Sequence, residues 1–381
     1  MGEFDAIKPY DDADVPGVLQ RLCHDRGLLD LLLLQRFGRV GQSLGGLLRP
    51  LLSWRLRREL SGIDTVDALQ RRLKPRLTRL IRSTTLQTDY SGLERLQPGT
   101  PYLFVANHRD IVMDPAFVNY ALFHAGHPTP RIAIGDNLLQ RPFVADLMRL
   151  NKSFIVQRSI TGRREKLAAY QQLSAYINHS LGEGQSVWIA QSEGRAKDGV
   201  DRTDSAIIKM FCMSRRQEAF DEVIRSLRLV PVSIAYEWDP CDLLKAGELE
   251  ARERTGSYTK APGEDDRSIA MGLTGYKGRV HVAFGTPLES GFTDARAVAA
   301  EVDRQVLGNY RLYPSNWLAF EHLPELPSLK LPDWRSQWSA AELAAELERF
   351  RQRLQACPEN LRRWWLLQYA NPVISHVGVE G

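Results

Sequence analysis

The stretch Val105-Ala-Asn-His-Arg-Asp-Ile-Val-Met-Asp-Pro115 places one histidine, His108, and two carboxylates, Asp110 and Asp114, where an apolar run gives way to a helix start. An imidazole held by a carboxylate takes a proton from an alcohol near neutral pH. His108 follows a strand candidate, and Asp114-Pro115 opens the next helix. The cluster therefore falls at the carboxyl end of a strand, where open α/β sheets place their sites.

Three more polar clusters follow. Lys152-Ser-Phe-Ile-Val-Gln-Arg158 is an apolar strand ending in arginine, whose forked donors match phosphate geometry. Val187 to Ala190 runs into Gln191-Ser192-Glu193-Gly194-Arg195. Glycine there lets the chain turn and expose amides, while Glu193 and Arg195 can clamp each other or a ligand. The run Leu229 to Ala235 contains Pro231, which removes a ladder donor and implies a bulge or an edge strand. Two competing readings of the first cluster fall away. His108-Arg109-Asp110 has the order of a kinase catalytic loop, but that pattern needs asparagine at position 115, which is proline. As metal ligands, His108, Asp110 and Asp114 find no second strong cluster among the other histidines, so no metal is expected.

The elements that must position these residues alternate. Strand candidates are 102–106, 131–134, 153–157, 186–190, 229–235 and 280–284; helix candidates are 114–125, 142–150, 163–181, 204–216 and 293–307. This rhythm predicts an α/β fold with a mixed, largely parallel sheet flanked by helices. Residues 1–95 are read as a helical N-terminal region, 96–311 as the α/β domain and 312–381 as a helical tail. Residues 245–272 are polar and weakly patterned, and read as an excursion or loop.

The chain has 381 residues, 43% hydrophobic and 25% charged, enough for a full core. Its net charge of +4 is unevenly spread: ten basic residues stand against three acidic ones between Arg49 and Arg82. Such a block suits an anionic surface. It lacks the interleaved aromatics of a nucleic-acid platform, so no nucleic-acid partner is expected. Leu28 to Leu52 is leucine-rich, punctuated by Asp30, Gln35, Arg36, Arg39 and Gln42, with Trp54 and Arg55 following. This reads either as a helix in a membrane interface or as a helical pair covering the core. Trp364-Trp365, flanked by Arg362 and Arg363, is open in the same way. The four scattered cysteines read as reduced thiols, no signal peptide is expected at the acidic N-terminus, and no apolar run reaches membrane-spanning length.

Taken in order, Asn107–Pro115, Phe154–Arg158, Gln191–Arg195 and Val230–Val232 resemble the motifs of the glycerolipid acyltransferases, the family of glycerol-3-phosphate and lysophosphatidate acyltransferases. That family carries His-x4-Asp, a strand ending in arginine, Phe-Pro-Glu-Gly-Thr-Arg, and a Val-Pro strand. This chain departs from it. Five residues separate His108 from Asp114, Met113 stands at the family's aspartate, and Arg195 comes one place early. Asp114 is preferred as the histidine's partner because the Asp-Pro step is kept, with Asp110 the alternative. A lysine common before the second block is replaced by Asp136-Asn137. The resemblance implies transfer of a fatty acyl group from acyl-CoA or acyl carrier protein to a hydroxyl of glycerol-3-phosphate or a lysophospholipid, with no bound cofactor. It implies His108, Asp114 and Asp110 as the catalytic set. Asn107, Arg109, Arg158, Glu193, Gly194 and Arg195 are the expected substrate contacts. An enzyme with a lipid product is expected on an anionic membrane surface, cytoplasmic and peripheral at the inner face.

Overall fold

Short runs rich in β-branched and aromatic residues become strands wherever both of their faces are covered. The computed structural model describes residues 2–324, 329 and 331–380. Met1, residues 325–328, Lys330 and Gly381 lie outside the described residues, as do the side chains of 39–43, including Arg39 and Gln42, and of 378–380. The strands are β1 (Gln87–Ser91), β2 (Leu103–Ala106), β3 (Arg131–Gly135), β4 (Ser153–Val156), β5 (Val187–Ala190), β6 (Leu229–Tyr236) and β7 (Arg279–Phe284).

The chain forms two compact units. One comprises residues 80–130 and 177–381. Its strands run in the order β1-β7-β6-β2-β5. Three pairings are parallel and one, β6 with β7, is antiparallel. This is the mixed, largely parallel α/β sheet that the alternation predicts. Every residue of β2, β5, β6 and β7 is buried. Pro231 lies inside β6 without a bulge or an edge. Its carbonyl accepts from Gly285, and the antiparallel ladder begins one residue later at Val232–Phe284. The N–H that proline lacks would point to that same flank, at the end of the ladder, where its loss costs little.

Three further departures concern this unit. Residues 87–91, read as part of a helical region, form β1 and pair with β7. Residues 245–272, read as an excursion, lie largely in two helices, Asp242–Thr255 and Glu264–Thr274. Their inward residues include Asp242, Lys245, Glu248 and Ser268, polar groups that erase the apolar stripe a sequence pattern detects. The 204–216 candidate is a short helix, Ser205–Phe211, followed by a single turn, Met213–Arg215. In the tail, helix Arg362–Glu380 buries Trp365 against Trp238, Phe350 and Tyr369. Trp364 donates to Glu253. Trp365 is therefore core packing, while Trp364 is only half-buried.

The other unit comprises residues 1–79 and 131–176. It holds the parallel pair β3–β4. Its core joins Val15, Val18, Leu19 and Leu22 to Val66, Leu69, Phe143 and Leu150. Helices Arg26–Ser43 and Gly45–Leu60 are joined by a two-pronged bond from Arg49 to Asp30. Leu29 and Leu33 are buried, but much of the remaining apolar surface of these helices is not covered. Leu31, Leu34, Phe37, Leu44 and Leu51 are exposed, with Leu47 at 80% and Trp54 at 51%. Among the described residues no helix is long and apolar enough to cross a membrane.

Candidate active site

Because β2 and β5 run parallel, their carboxyl ends open side by side. The Gln191 amide donates to the Ala106 carbonyl, and the Ala196 amide donates to the His108 carbonyl. The first and third motif blocks are thereby tied together through the backbone.

His108 Nδ1 lies 2.8 Å from Asp114 Oδ2. Asp114 is fully buried, while the His108 side chain keeps 15% of its surface exposed. The same carboxylate oxygen accepts the amides of Arg109 at 2.6 Å and Asp110 at 3.0 Å. Its other oxygen accepts the Tyr236 hydroxyl at 2.8 Å. With Asp114 as acceptor, Nδ1 carries the ring proton and Nε2 carries the lone pair. Burial and the adjoining Asp114 charge push the Tyr236 phenol well above its ordinary range, so it stays a donor.

The anomalous spacing is resolved in the turn. Asp110 Oδ1 accepts the amides of Val112 at 2.9 Å and Met113 at 2.8 Å, at the start of helix Met113–His124. Asp110 thus absorbs the extra residue as a cap and returns Asp114 to the histidine. A Cβ on Gly272 would stand 2.0 Å from Asp110 Oδ2, so only glycine allows helix Glu264–Thr274 to pass there. Burial and the Asp114 charge raise the Asp110 carboxyl, which suits a buried cap rather than a partner for His108. The ring of Trp188 on β5 meets the imidazole edge-to-face at 5.8 Å.

Two expected substrate contacts are turned inward instead. Asn107 is fully buried. Its amide donates to Asp201 and to the Ile234 carbonyl, and its oxygen accepts the Ile234 amide at 2.7 Å. It staples the end of β2 to β6. Arg109 is buried with Nη2 2.6 Å from Asp201, its guanidinium 5.6 Å from the Tyr310 ring centre. A guanidinium already committed to a carboxylate is not a phosphate clamp. A cavity lined by Arg109, Tyr236, Asp239, Tyr310 and Tyr369 measures about 20 Å³, room for one water and not for a lipid precursor.

Glu193 is exposed, and Gly194 takes a left-handed φ of 81°. Arg195 reaches Ser268 at 3.5 Å. In the other unit, Arg158 is exposed just beyond β4, its stem lying along Gly135. The Arg158 amide donates to Asp136, as does that of Ser159. Burial pushes the Asp136 carboxyl up, but its hydrogen bonds from Ser159 and Arg158 outweigh this and hold it below the usual range. Asp136 is therefore a brace for the arginine's turn.

Sequence reasoning missed Tyr236 and Lys245. Lys245 is buried, pairs with Asp239 and donates to the Arg109 carbonyl at 2.8 Å, fixing the turn that carries His108. A tyrosine ending an apolar strand and a lysine in a polar stretch are ordinary in sequence; only their convergence marks them.

A histidine oriented by a buried carboxylate, at the carboxyl edge of a mixed α/β sheet, has the geometry that a His–carboxylate general base requires. Residues 87–234 match the Acyltransferase family model. The chain is 27% identical over 233 residues to human dihydroxyacetone phosphate acyltransferase, covering 58% of this chain and 31% of that protein. It is 30% identical over 141 residues to glycerol-3-phosphate acyltransferase of Pseudoalteromonas atlantica, covering 37% of this chain and 16% of that protein. The chain spans less than a third of the length of these curated relatives. The crystal structure of the 1-acyl-sn-glycerophosphate (LPA) acyltransferase PlsC from Thermotoga maritima aligns over 74% of this chain and 95% of that one, at 17% identity and a TM-score of 0.38.

Proposed function

We propose that the protein is an O-acyltransferase of glycerolipid synthesis. In this reading it moves a fatty acyl group from acyl-CoA or acyl carrier protein to a hydroxyl of glycerol-3-phosphate, dihydroxyacetone phosphate or lysophosphatidate. The observation that carries the reading is the 2.8 Å contact of His108 Nδ1 with the fully buried Asp114, which leaves Nε2 as the base. Nε2 takes the acceptor's hydroxyl proton as that oxygen attacks the thioester carbonyl. The tetrahedral intermediate expels the thiolate, which recovers the proton from the imidazolium. The products are an ester and a free thiol, and the step balances without a cofactor. General-base catalysis of this kind contributes on the order of 10²–10⁴-fold.

Arg158 is the phosphate ligand in this reading, supported by its exposed guanidinium and braced turn. Arg158→Ala is expected to raise KM for a phosphorylated acceptor by roughly 10–10²-fold, the weight of a charge-assisted bond. KM for an unphosphorylated alcohol should stay unchanged, which steady-state kinetics with both acceptors checks.

The uncovered leucine face of helices Arg26–Ser43 and Gly45–Leu60, beside a basic run, supports peripheral docking on the cytoplasmic face of an anionic membrane. Replacing both Leu47 and Leu51 by glutamate is expected to weaken sedimentation with phosphatidylglycerol-containing vesicles by on the order of 10²-fold. Unchanged binding removes this face from the account.

The activity is tested by incubating purified protein with radiolabelled palmitoyl-CoA and each of the three phosphorylated acceptors. Labelled ester that depends on the acceptor is expected. Free palmitate formed equally with and without acceptor would instead identify a hydrolase.

A further inference from the structure

A second histidine is wired in a different way. His281 on β7 is buried, with Nδ1 2.7 Å from Asp89 Oδ2 and Nε2 3.1 Å from Ser91 Oγ. The strand register produces this directly. Asp89 sits opposite His281 in the parallel β1–β7 pair, and alternation puts Ser91 on the same face of β1, two residues on. The residue opposite Ser91 is Ala283, small enough to let the imidazole lie toward the hydroxyl. Arg311 pairs with the same Asp89 oxygen.

The protonation pattern follows. Burial pushes the Asp89 carboxyl up, but the His281 hydrogen bond and the neighbouring Arg311 charge outweigh it and hold it below the usual carboxylate range. An ionised Asp89 accepts the Nδ1 proton, so Nε2 presents its lone pair to the Ser91 hydroxyl. A bond that merely clamps the edge strand to β7 is satisfied by Asp89 and His281 alone. It does not account for a hydroxyl on the other ring nitrogen. Ser91 is exposed while the imidazole behind it is buried, the disposition of a nucleophile open to solvent with its base shielded.

We infer that Ser91, His281 and Asp89 form a second, hydrolytic site that acts on small activated acyl esters. Ser91 Oγ attacks the ester carbonyl while His281 Nε2 takes its proton. The tetrahedral intermediate collapses, the alcohol departs with that proton, and an acyl-serine remains. Water, deprotonated by Nε2, then attacks the acyl-serine, releasing the carboxylic acid and returning the proton to Ser91. No oxidant or cofactor enters. The inference uses none of the residues of the proposed acyl-transfer site and stands apart from it.

The test treats the full chain with a fluorophosphonate probe, locates the adduct by peptide mass spectrometry, and follows p-nitrophenyl acetate hydrolysis. The expected result is an adduct on Ser91 and hydrolysis that falls on the order of 10²-fold in Ser91→Ala and His281→Gln. Labelling should persist in His108→Ala, and palmitoyl transfer should persist in Ser91→Ala. Circular dichroism confirms that each variant is folded, and the exposed Ser91→Ala does not burden the core. Absence of a Ser91 adduct overturns the inference. So does hydrolysis at the wild-type rate in Ser91→Ala, or labelling that proceeds equally fast in folded His281→Gln.

Discussion

Replacing His108 with alanine is expected to lower kcat for acyl transfer by on the order of 10²–10⁴-fold while leaving the protein folded. The side chain is partly exposed, and among the described residues its side-chain hydrogen bond is the one to Asp114. The Asp114 carboxylate keeps both backbone amides and the Tyr236 hydroxyl when the ring is gone. The loss should therefore appear in turnover and not in thermal denaturation. A folded His108→Ala variant with wild-type kcat ends the general-base account.

The second large effect concerns Asp114, where two substitutions should separate. Asp114→Ala removes the acceptor of the His108 proton and leaves two buried amides unpaired. Turnover is expected to fall as far as in His108→Ala, with an added loss of stability of roughly 1–3 kcal/mol per unpaired group. Asp114→Asn behaves differently because of the same amides. Only a carbonyl oxygen can face the Arg109 and Asp110 N–H groups, so the asparagine oxygen takes the place of Oδ2 and its NH₂ turns to the Tyr236 hydroxyl. The ring keeps its orientation and loses only the carboxylate's charge. At an effective dielectric near 20, a charge about 4 Å from the imidazolium contributes about 4 kcal/mol, which sets an upper loss of about 10³-fold. The expected order is wild type, then Asn, then Ala, read as single-turnover rates. If Asn proves as inactive as Ala, the backbone amides do not govern this carboxylate's orientation.

Legibility in the sequence followed burial chemistry. Strands β2, β5, β6 and β7 were readable because both faces are covered, so their runs are continuously apolar. Edge strand β1 is Gln-Thr-Asp-Tyr-Ser, half-covered and polar, and carried no such signal. Helix Asp242–Thr255 was hidden because Asp242, Lys245 and Glu248 are buried in ion pairs and hydrogen bonds where apolar residues were expected. The same helix supplies the lysine that steadies the turn carrying His108.

Residue type and order along the chain determined that a histidine, two aspartates, a strand-end arginine and a glycine turn would stand at strand exits, because hydrophobic periodicity and helix starts are local properties. Which aspartate meets His108 was a matter for three dimensions. Asp114 prevails since two backbone amides and a tyrosine from β6 hold it beneath the ring, while Asp110 is spent on capping the helix. Tertiary packing likewise sent Asn107 and Arg109 inward to Asp201 and drew Ser91, His281 and Asp89 together from positions nearly two hundred residues apart. Hydrogen-bond partners are chosen by the convergence of distant strands, and spacing along one strand carries no record of that choice.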